Sequence, residues 1–109
     1  MKMLETQAQF EEMWFGPLHT KPWIVYFTAK WCGPCQRLDS ESLATIAETE
    51  KGLTMWKCEL TENDYTAGYC GVRSIPTFMY FTPKKIVSTL QSSDTATVAN
   101  WVRSLTYDK

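Results

Sequence analysis

Continuous apolar stretches alternate with amphipathic ones along this chain. The segment Trp23–Thr28 is apolar, β-branched or aromatic almost throughout, which is typical of a strand covered on both faces of a sheet. A second such run, Thr77–Thr82, is followed by a turn at Pro83–Lys85 and by Ile86–Leu90, which predicts an antiparallel hairpin. Leu53–Leu60 is a further predicted strand.

Amphipathic patterns fill the intervals between these strands. Thr6 and Gln9 have the spacing of a capping box, which predicts that the first helix begins at Gln7. The predicted helices cover residues 7–14, a long segment after Cys32 that stops at Lys51–Gly52, residues 64–69, and a last segment capped by Ser93 or Asp94. Helices that alternate with strands, and a final hairpin, predict an α/β fold with a mixed sheet.

Length and charge limit the possible functions. The 109 residues fit a single domain, 1–109, whose hydrophobic core needs no disulfide support. A net charge of −1 and the lack of any Lys/Arg run argue against a surface for nucleic acid or for an anionic membrane. The first fifteen residues have no apolar stretch typical of a signal peptide, so we expect a cytoplasmic, reducing compartment.

Two of the four cysteines lie three residues apart, in Cys32–Gly33–Pro34–Cys35, between a predicted strand and a predicted helix. A helix start offers free backbone N–H groups and the positive end of the helix dipole, and both favour a thiolate over a thiol. We therefore expect Cys32, at the cap, to be the nucleophile. Cys35, one turn deeper and less exposed, would resolve the mixed disulfide. Gly33 would leave the approach open, and Pro34 is tolerated in a first helical turn.

The same cysteine pair can instead form half of a zinc site. Zinc ribbons carry a second pair at similar spacing, whereas Cys58 and Cys70 are twelve residues apart and His19 stands alone. We therefore expect no metal. Cys58 is interpreted as a buried structural residue, Cys70 as a small helix-end residue and His19 as a surface residue of a loop.

Two segments carry a resemblance to a known family. They are Val25–Cys35 (Val-Tyr-Phe-Thr-Ala-Lys-Trp-Cys-Gly-Pro-Cys) and Gly71–Phe78 (Gly-Val-Arg-Ser-Ile-Pro-Thr-Phe), and together they resemble the thioredoxin family. The similarity extends in element order and spacing over nearly the whole chain. It implies a thioredoxin-like three-layer α/β/α sandwich with a mixed central sheet, and a redox-active disulfide with no other cofactor.

The resemblance also implies a docking surface beside the cysteine pair. Pro76 would be cis and face the pair, and the Ile75 backbone would offer its N–H and C=O to an extended partner segment. Partner contacts would come from Trp31, Gly33, Pro34, Ile75 and Pro76, and from Gln91, whose side chain would project toward the partner where the family has glycine. Some relatives have a regulatory cysteine near the position of Cys70, which is the alternative for that residue.

The chain departs from the family at a position next to the cysteines. Tyr26 stands where bacterial-type thioredoxins have a buried aspartate, and a tyrosine with a pKa of about 10 cannot be an anionic base at neutral pH. Lys57, which faces this site in the family, thereby loses its usual partner. The proton of Cys35 would then be taken up either by Glu59, which lies on the same side of the same strand as Lys57, or by water. We expect this deprotonation to be slower or more pH-dependent. Ser40 replaces a kinking proline, which predicts a straighter second helix.

These features predict a reductase of protein disulfides. The resemblance implies that disulfide-containing proteins are its substrates and that an NADPH-dependent flavoprotein thioredoxin reductase recycles it. Two alternatives stay open, namely a thiol oxidase or isomerase of the same fold, and a binding module that uses the surface around Trp31 and Pro76. The Gly-Pro pair between the cysteines favours the reducing direction.

Overall fold

The computed structural model describes residues 1–16 and 21–106. Five strands within these ranges form one sheet, namely β1 (Lys2–Met3), β2 (Trp23–Thr28), β3 (Thr54–Glu59), β4 (Thr77–Thr82) and β5 (Lys85–Gln91). Their order in the sheet is β1-β3-β2-β4-β5. β1, β3 and β2 are parallel, whereas β4 is antiparallel to both β2 and β5, so the sheet is mixed as predicted.

Helices cover both faces of this sheet. Those in the described residues are α1 (Gln7–Phe15), α2 (Gly33–Gln36), α3 (Ser40–Lys51), α4 (Asp64–Tyr69) and α5 (Thr95–Ser104). α1 and α4 pack on one face, around Phe10 and Phe81. α3 and α5 pack on the other, around Leu43 and Val102. The three-layer α/β/α sandwich expected from the sequence is confirmed.

β2 lies in the middle of the sheet, and all six of its residues are buried. Alternate residues contribute to the two cores, because successive side chains of a strand point to opposite faces. Val25 therefore faces α1 and α4, whereas Ile24 and Tyr26 face α3 and α5. The largely apolar composition of the strand is what a position covered on both faces requires. Its carboxyl end leads directly to the cysteine pair.

The segment after the cysteine pair is not one long helix. α2 ends at Gln36 and α3 begins at Ser40. The interruption arises because Asp39 caps α3, where its carboxylate accepts hydrogen bonds from the backbone N–H of Ser42 at 3.2 Å and from the Ser42 hydroxyl at 2.7 Å. The prediction of a straighter helix is therefore wrong, since an aspartate cap separates the two helices without a proline.

The sequence pattern also missed β1. Two residues are too few to show an apolar alternation, and β1 exists because Lys2 and Met3 pair with Trp56 and Lys57 of β3. His19, interpreted above as a surface residue, lies outside the described residues. Along the part of the chain that the structure describes, no helix is long and apolar enough to span a bilayer.

Candidate active site

Cys32 and Cys35 lie at the start of α2, where the chain turns after leaving β2. Cys32 is the N-cap residue, and its Sγ accepts a hydrogen bond from the backbone N–H of Cys35 at 3.2 Å. The Cα atoms of the two residues are 5.3 Å apart, and their sulfur atoms form a disulfide. The Cα separation lies within the range of about 4.4–6.8 Å that disulfides adopt. The strand–helix turn therefore carries the pair in the arrangement that the sequence spacing predicts.

Both cysteine side chains are nearly inaccessible to solvent in this oxidised form. Cys32 is 5% exposed and Cys35 is 3% exposed, so the expected contrast in exposure is small. The two residues differ in what they face. Both pack in a small cluster with Ala29, but Cys32 also lines an open groove of about 490 Å³, whereas Cys35 is absent from its lining. A partner that occupies the groove therefore meets Cys32 first.

The groove beside Cys32 is largely apolar. Trp31 contributes a ring that is 70% exposed, and Leu60, Val72 and Ile75 contribute aliphatic side chains. Other lining residues singled out in the sequence are Gly33 and Pro34. Sequence reasoning did not assign Leu60 or Val72 to the groove. Leu60 is the last residue of the predicted strand Leu53–Leu60, and Val72 lies in the Gly71–Phe78 segment that carries the family resemblance.

The segment before β4 lies against Cys32. The Ile75 carbonyl oxygen is 3.9 Å from Cys32 Sγ, and the Ile75–Pro76 peptide bond is cis, which is the form that the family resemblance implies. Pro76 itself is buried and absent from the groove lining, whereas Ile75 is half-buried and lines it. Gln91 is exposed at the end of β5, paired with Thr77, and also lies outside the groove lining.

Tyr26 contacts the cysteine pair from the central strand. It is 2% exposed, its ring stacks on Phe78 with 4.6 Å between centroids, and its hydroxyl donates to the carbonyl oxygen of Cys35 at 3.3 Å. Burial raises the pKa of Tyr26 above its ordinary value of 10.0; a hydrogen bond with Thr28 lowers that pKa, and the charge of Glu59 raises it. Tyr26 therefore stays protonated at neutral pH and acts as a hydrogen-bond donor.

Lys57 and Glu59 lie on the strand next to Tyr26. In the parallel pairing of β2 and β3, Lys57 is opposite Tyr26 and Glu59 is opposite Thr28. Glu59 is only 4% exposed, and its Oε1 accepts a hydrogen bond from the backbone N–H of Lys30 at 2.5 Å. Within the described residues, no ion pair joins Glu59 to Lys57. Glu59 is thus bound to the turn that carries the cysteines.

The remaining two cysteines lie away from the groove. Cys58 and Cys70 are free and buried in the core between α1, α4 and the sheet. Cys58 donates its S–H to the carbonyl oxygen of Asn63 at 3.4 Å. Burial raises the pKa of each thiol to about 12, and the charges of Cys70 and Glu59 add to this for Cys58. The predicted burial of Cys58 is confirmed.

The chemistry of the site follows from its two sulfur atoms. In residues 1–16 and 21–106, no three His, Cys, Asp or Glu side chains come together as metal ligands. A cysteine pair at disulfide distance, with one sulfur beside an apolar groove, supports exchange with a disulfide of another molecule. An α/β/α sandwich with such a pair at a strand–helix turn defines the class of thiol–disulfide oxidoreductases.

Comparison with known proteins gives the family. The family model named Thioredoxin matches residues 2–104, and the chain belongs to the thioredoxin family. A thioredoxin-like protein from Synechocystis is 34% identical over 90 residues, which cover 82% of this chain and 81% of that protein. A thioredoxin from Geodia cydonium is 31% identical over 88 residues, or 81% of each chain. The cysteine pair is present at disulfide distance, so the protein is a thiol–disulfide oxidoreductase that reduces protein disulfides.

Solved structures support the fold independently. The thioredoxin of Plasmodium falciparum superimposes with a TM-score of 0.80 at 24% identity, covering 94% of this chain and 96% of that one. The thioredoxin of Fasciola hepatica gives a TM-score of 0.78 at 22% identity, with 94% and 96% covered. At these identities the likeness concerns the fold, which agrees with the layers and strand order described above.

Proposed function

We propose that Cys32 is the nucleophile and Cys35 the resolving cysteine of this protein-disulfide reductase. The observation that carries the proposal is the position of Cys32 Sγ, which adjoins the groove and accepts the N–H of Cys35. A backbone N–H directed at sulfur stabilises a thiolate over a thiol, and the groove gives a partner access to it. Cys35 lies one turn further into the helix, in reach of Cys32 but not of the groove.

The reaction then has two exchange steps. In the first step the Cys32 thiolate attacks one sulfur of the partner disulfide. The partner S–S bond breaks, and the other partner sulfur leaves as a thiolate that takes up a proton. In the second step Cys35 gives its proton to water and attacks Cys32 Sγ, which releases the remaining partner sulfur. The partner disulfide gains two electrons and is reduced to two thiols, while Cys32 and Cys35 are oxidised to a disulfide. Tyr26, Lys57 and Glu59 form the polar surroundings of this proton transfer.

The partner docks on the groove and its margins. Trp31 and Ile75 supply apolar contact area, and aromatic anchors of this kind contribute strongly to binding. Gly33 leaves the entrance open, since a side chain at this position would meet no atom within 4 Å. The Ile75 carbonyl, close to Cys32 Sγ, is available to an extended partner segment. The remaining members of the proposed surface are Pro34, Pro76 and Gln91.

The wider assignment follows the family. Residues 1–109 form a single thioredoxin domain, consistent with a family match over residues 2–104. The protein works in the cytoplasm, where free thiols such as Cys58 and Cys70 persist. An NADPH-dependent flavoprotein thioredoxin reductase returns Cys32–Cys35 to the dithiol, and no bound cofactor takes part. Disulfide-containing proteins are the substrates.

Reduction of a disulfide-bonded test protein, with a chemical dithiol as the electron source, tests the residue assignment. Cys32→Ser is expected to abolish turnover because no thiolate faces the groove. Cys35→Ser, reduced beforehand and freed of the dithiol, is expected to stop after one exchange, with the test protein attached to Cys32 as a mixed disulfide that mass spectrometry detects.

Cys58→Ser is the matched control. It replaces the same atom in the core and keeps a donor to the Asn63 carbonyl, so turnover is expected to stay within about twofold. Equal rates for wild type and Cys32→Ser would refute the assignment. The reduction potential separates the reductase from an oxidase or isomerase, because the oxidising members of the class have higher potentials. Binding of a partner that survives Cys32→Ser without turnover in the wild type would instead favour a binding module.

A further inference from the structure

The helix that carries the cysteines depends on other elements for its position. α2 has four residues, and the Asp39 cap begins a separate helix at Ser40 instead of continuing it. A helix this short has no independent stability in water, because its few hydrogen bonds do not offset the cost of ordering the backbone. The placement of α2 therefore rests on hydrogen bonds and packing from outside it.

One of these hydrogen bonds reaches Cys35 itself. The hydroxyl of Tyr26 donates to the Cys35 carbonyl oxygen at 3.3 Å, and the N–H of Leu38 donates to the same oxygen at 3.2 Å. The Tyr26 ring is fixed in the core by its stacking on Phe78, with an angle of 8° between the rings. The carbonyl of Cys35 is thus held by a rigid side chain from the central strand of the sheet.

We propose that Tyr26 is a positioning residue for the resolving step, which keeps Cys35 next to Cys32 while a partner is covalently attached. During that interval Cys32 Sγ is bonded to the partner, so no disulfide joins the two cysteine side chains. The orientation of Cys35 toward Cys32 then depends on the local backbone and its non-covalent contacts, and the Tyr26 hydroxyl supplies one of these contacts. The inference rests on the proposed assignment of Cys35 as the resolving cysteine.

A tyrosine suits the positioning of Cys35 because its hydroxyl remains a hydrogen-bond donor at neutral pH. Burial raises the pKa of Tyr26, so the hydroxyl keeps its proton across the neutral range. A carbonyl oxygen only accepts hydrogen bonds, and an ionised carboxylate at this position would have no proton to offer it. Tyr26 therefore contributes orientation to the resolving step and not proton transfer. The proton of Cys35 leaves by another route.

Single-turnover kinetics on the full chain test the proposal. The reduced protein is mixed with a disulfide substrate that releases a chromophoric thiol in each exchange, so that both steps are followed. Tyr26→Phe removes the hydroxyl and keeps the ring that stacks on Phe78. We expect the second release to slow about fivefold, the effect of losing one hydrogen bond, whereas the first release keeps its rate.

Tyr80→Phe is the matched control. Tyr80 is 1% exposed, and its hydroxyl donates to the Thr106 carbonyl at 3.4 Å, on the part of β4 away from the cysteines. Both variants are expected to lower the Tm by similar amounts, but Tyr80→Phe should change neither release. A purely structural role of Tyr26 predicts the same kinetics for the two variants.

A second variant, Phe78→Leu, and a parallel measurement on Cys35→Ser distinguish the possible results. Phe78→Leu removes the stacking partner and should also slow the second release. If Tyr26→Phe and Phe78→Leu both release the second thiol at the wild-type rate, the proposal is overturned. Cys35→Ser is run alongside them. If it also completes the second release, the assignment of Cys35 as the resolving cysteine fails, and the role of Tyr26 fails with it; if only the Tyr26 and Phe78 variants keep the wild-type rate, the assignment of Cys35 stands and the role of Tyr26 alone is refuted.

Discussion

The two pairs of cysteines in this protein have opposite surroundings. Cys32 and Cys35 lie at the amino end of α2, where a backbone N–H points at Cys32 Sγ. Cys58 and Cys70 lie in the core between α1, α4 and the sheet, where the S–H of Cys58 donates a hydrogen bond to the Asn63 carbonyl. The first environment donates a hydrogen bond to sulfur and favours the thiolate. The second buries both thiols and accepts a hydrogen bond from Cys58, and so favours the thiol.

Exposure alone would rank these cysteines wrongly. Cys70 is 9% exposed and Cys32 only 5%, yet it is the thiol of Cys70 whose pKa is raised to about 12 by burial. What distinguishes Cys32 is the backbone N–H that points at its sulfur and the groove on which it opens. The exposed fraction alone therefore does not identify the cysteine that a partner can reach.

Alkylation of the fully reduced protein should give the largest contrast between the pairs. A pKa of about 12 leaves only about one part in ten thousand of Cys58 and Cys70 as thiolate at pH 8. We expect iodoacetamide to label Cys32 within minutes at this pH, while the two core thiols remain unlabelled. Their labelling should accelerate as the pH rises toward 10, because thiolate is the reacting form. Peptide mapping by mass spectrometry measures each site.

The unfolded protein is the control for this experiment. In denaturant all four cysteines should react at similar rates, since burial and the cap hydrogen bond are both lost. Labelling of Cys70 at the rate of Cys32 in the native state would show that burial does not protect it, and would contradict the comparison. That outcome would also favour the alternative of a regulatory Cys70.

Glu59 connects the core around Cys58 with the turn that carries Cys32. It follows Cys58 in the chain, and its carboxylate accepts a hydrogen bond from Lys30 in the turn before Trp31. Glu59→Ala removes the carboxylate that accepts the Lys30 N–H, and a hydrogen bond to a charged group contributes about 1.5–3 kcal/mol, so we expect a loss of that size in the free energy of unfolding. Turnover should fall with it, because the turn that positions Cys32 is loosened. Chemical denaturation and the disulfide-reduction assay measure the two effects.

Glu59→Gln separates holding the turn from accepting a proton. The amide oxygen still accepts the Lys30 N–H, so this variant should retain most of the stability and turnover that Glu59→Ala loses. If Glu59→Gln is as slow as Glu59→Ala while remaining stable, the carboxylate itself takes part in the proton transfer from Cys35. The position of Glu59 would then matter less than its charge.

Local sequence signals were sufficient for most of the fold. β2, β4 and α4 have the predicted boundaries. The apolar runs define where the two strands begin and end, and the Asn63 cap defines where α4 begins. The capping box at Thr6 likewise begins α1 at the predicted residue, and the left-handed Gly52, with φ of 64°, ends α3 where predicted. Each of these signals acts over a few residues, which is why a single sequence reveals it.

Other features depend on contacts between distant segments, and the pattern does not show them. The nearly complete burial of Cys32 depends on packing with Leu60 and Ile75, which follow it by 28 and 43 residues. The hydrogen bond from Tyr26 to Cys35 depends on how β2 passes α2. The break before α3 is different, because an aspartate at position 39 is a local cap signal that the sequence contained.

The smallest expected effect comes from adding a methyl group beside Cys32. A Cβ at Gly33 would meet no atom within 4 Å, and the φ of this residue is not in the left-handed region. We therefore expect Gly33→Ala to change the free energy of unfolding by less than about 0.5 kcal/mol. In the core, Ala67→Val should cost about 1–3 kcal/mol, because Ala67 packs in the cluster of Cys58 and Cys70.

The functional effect of Gly33→Ala should depend on the size of the partner. The added methyl group stands at the entrance of the groove, so a small disulfide should still reach Cys32 at the wild-type rate. A protein disulfide has to bring its flanking backbone close to residue 33, and its kcat/KM should fall a fewfold. Equal rates for both substrates would show that the partner backbone does not pass over Gly33. Ala67→Val should slow neither substrate at temperatures where it remains folded, because Ala67 is buried and does not line the groove.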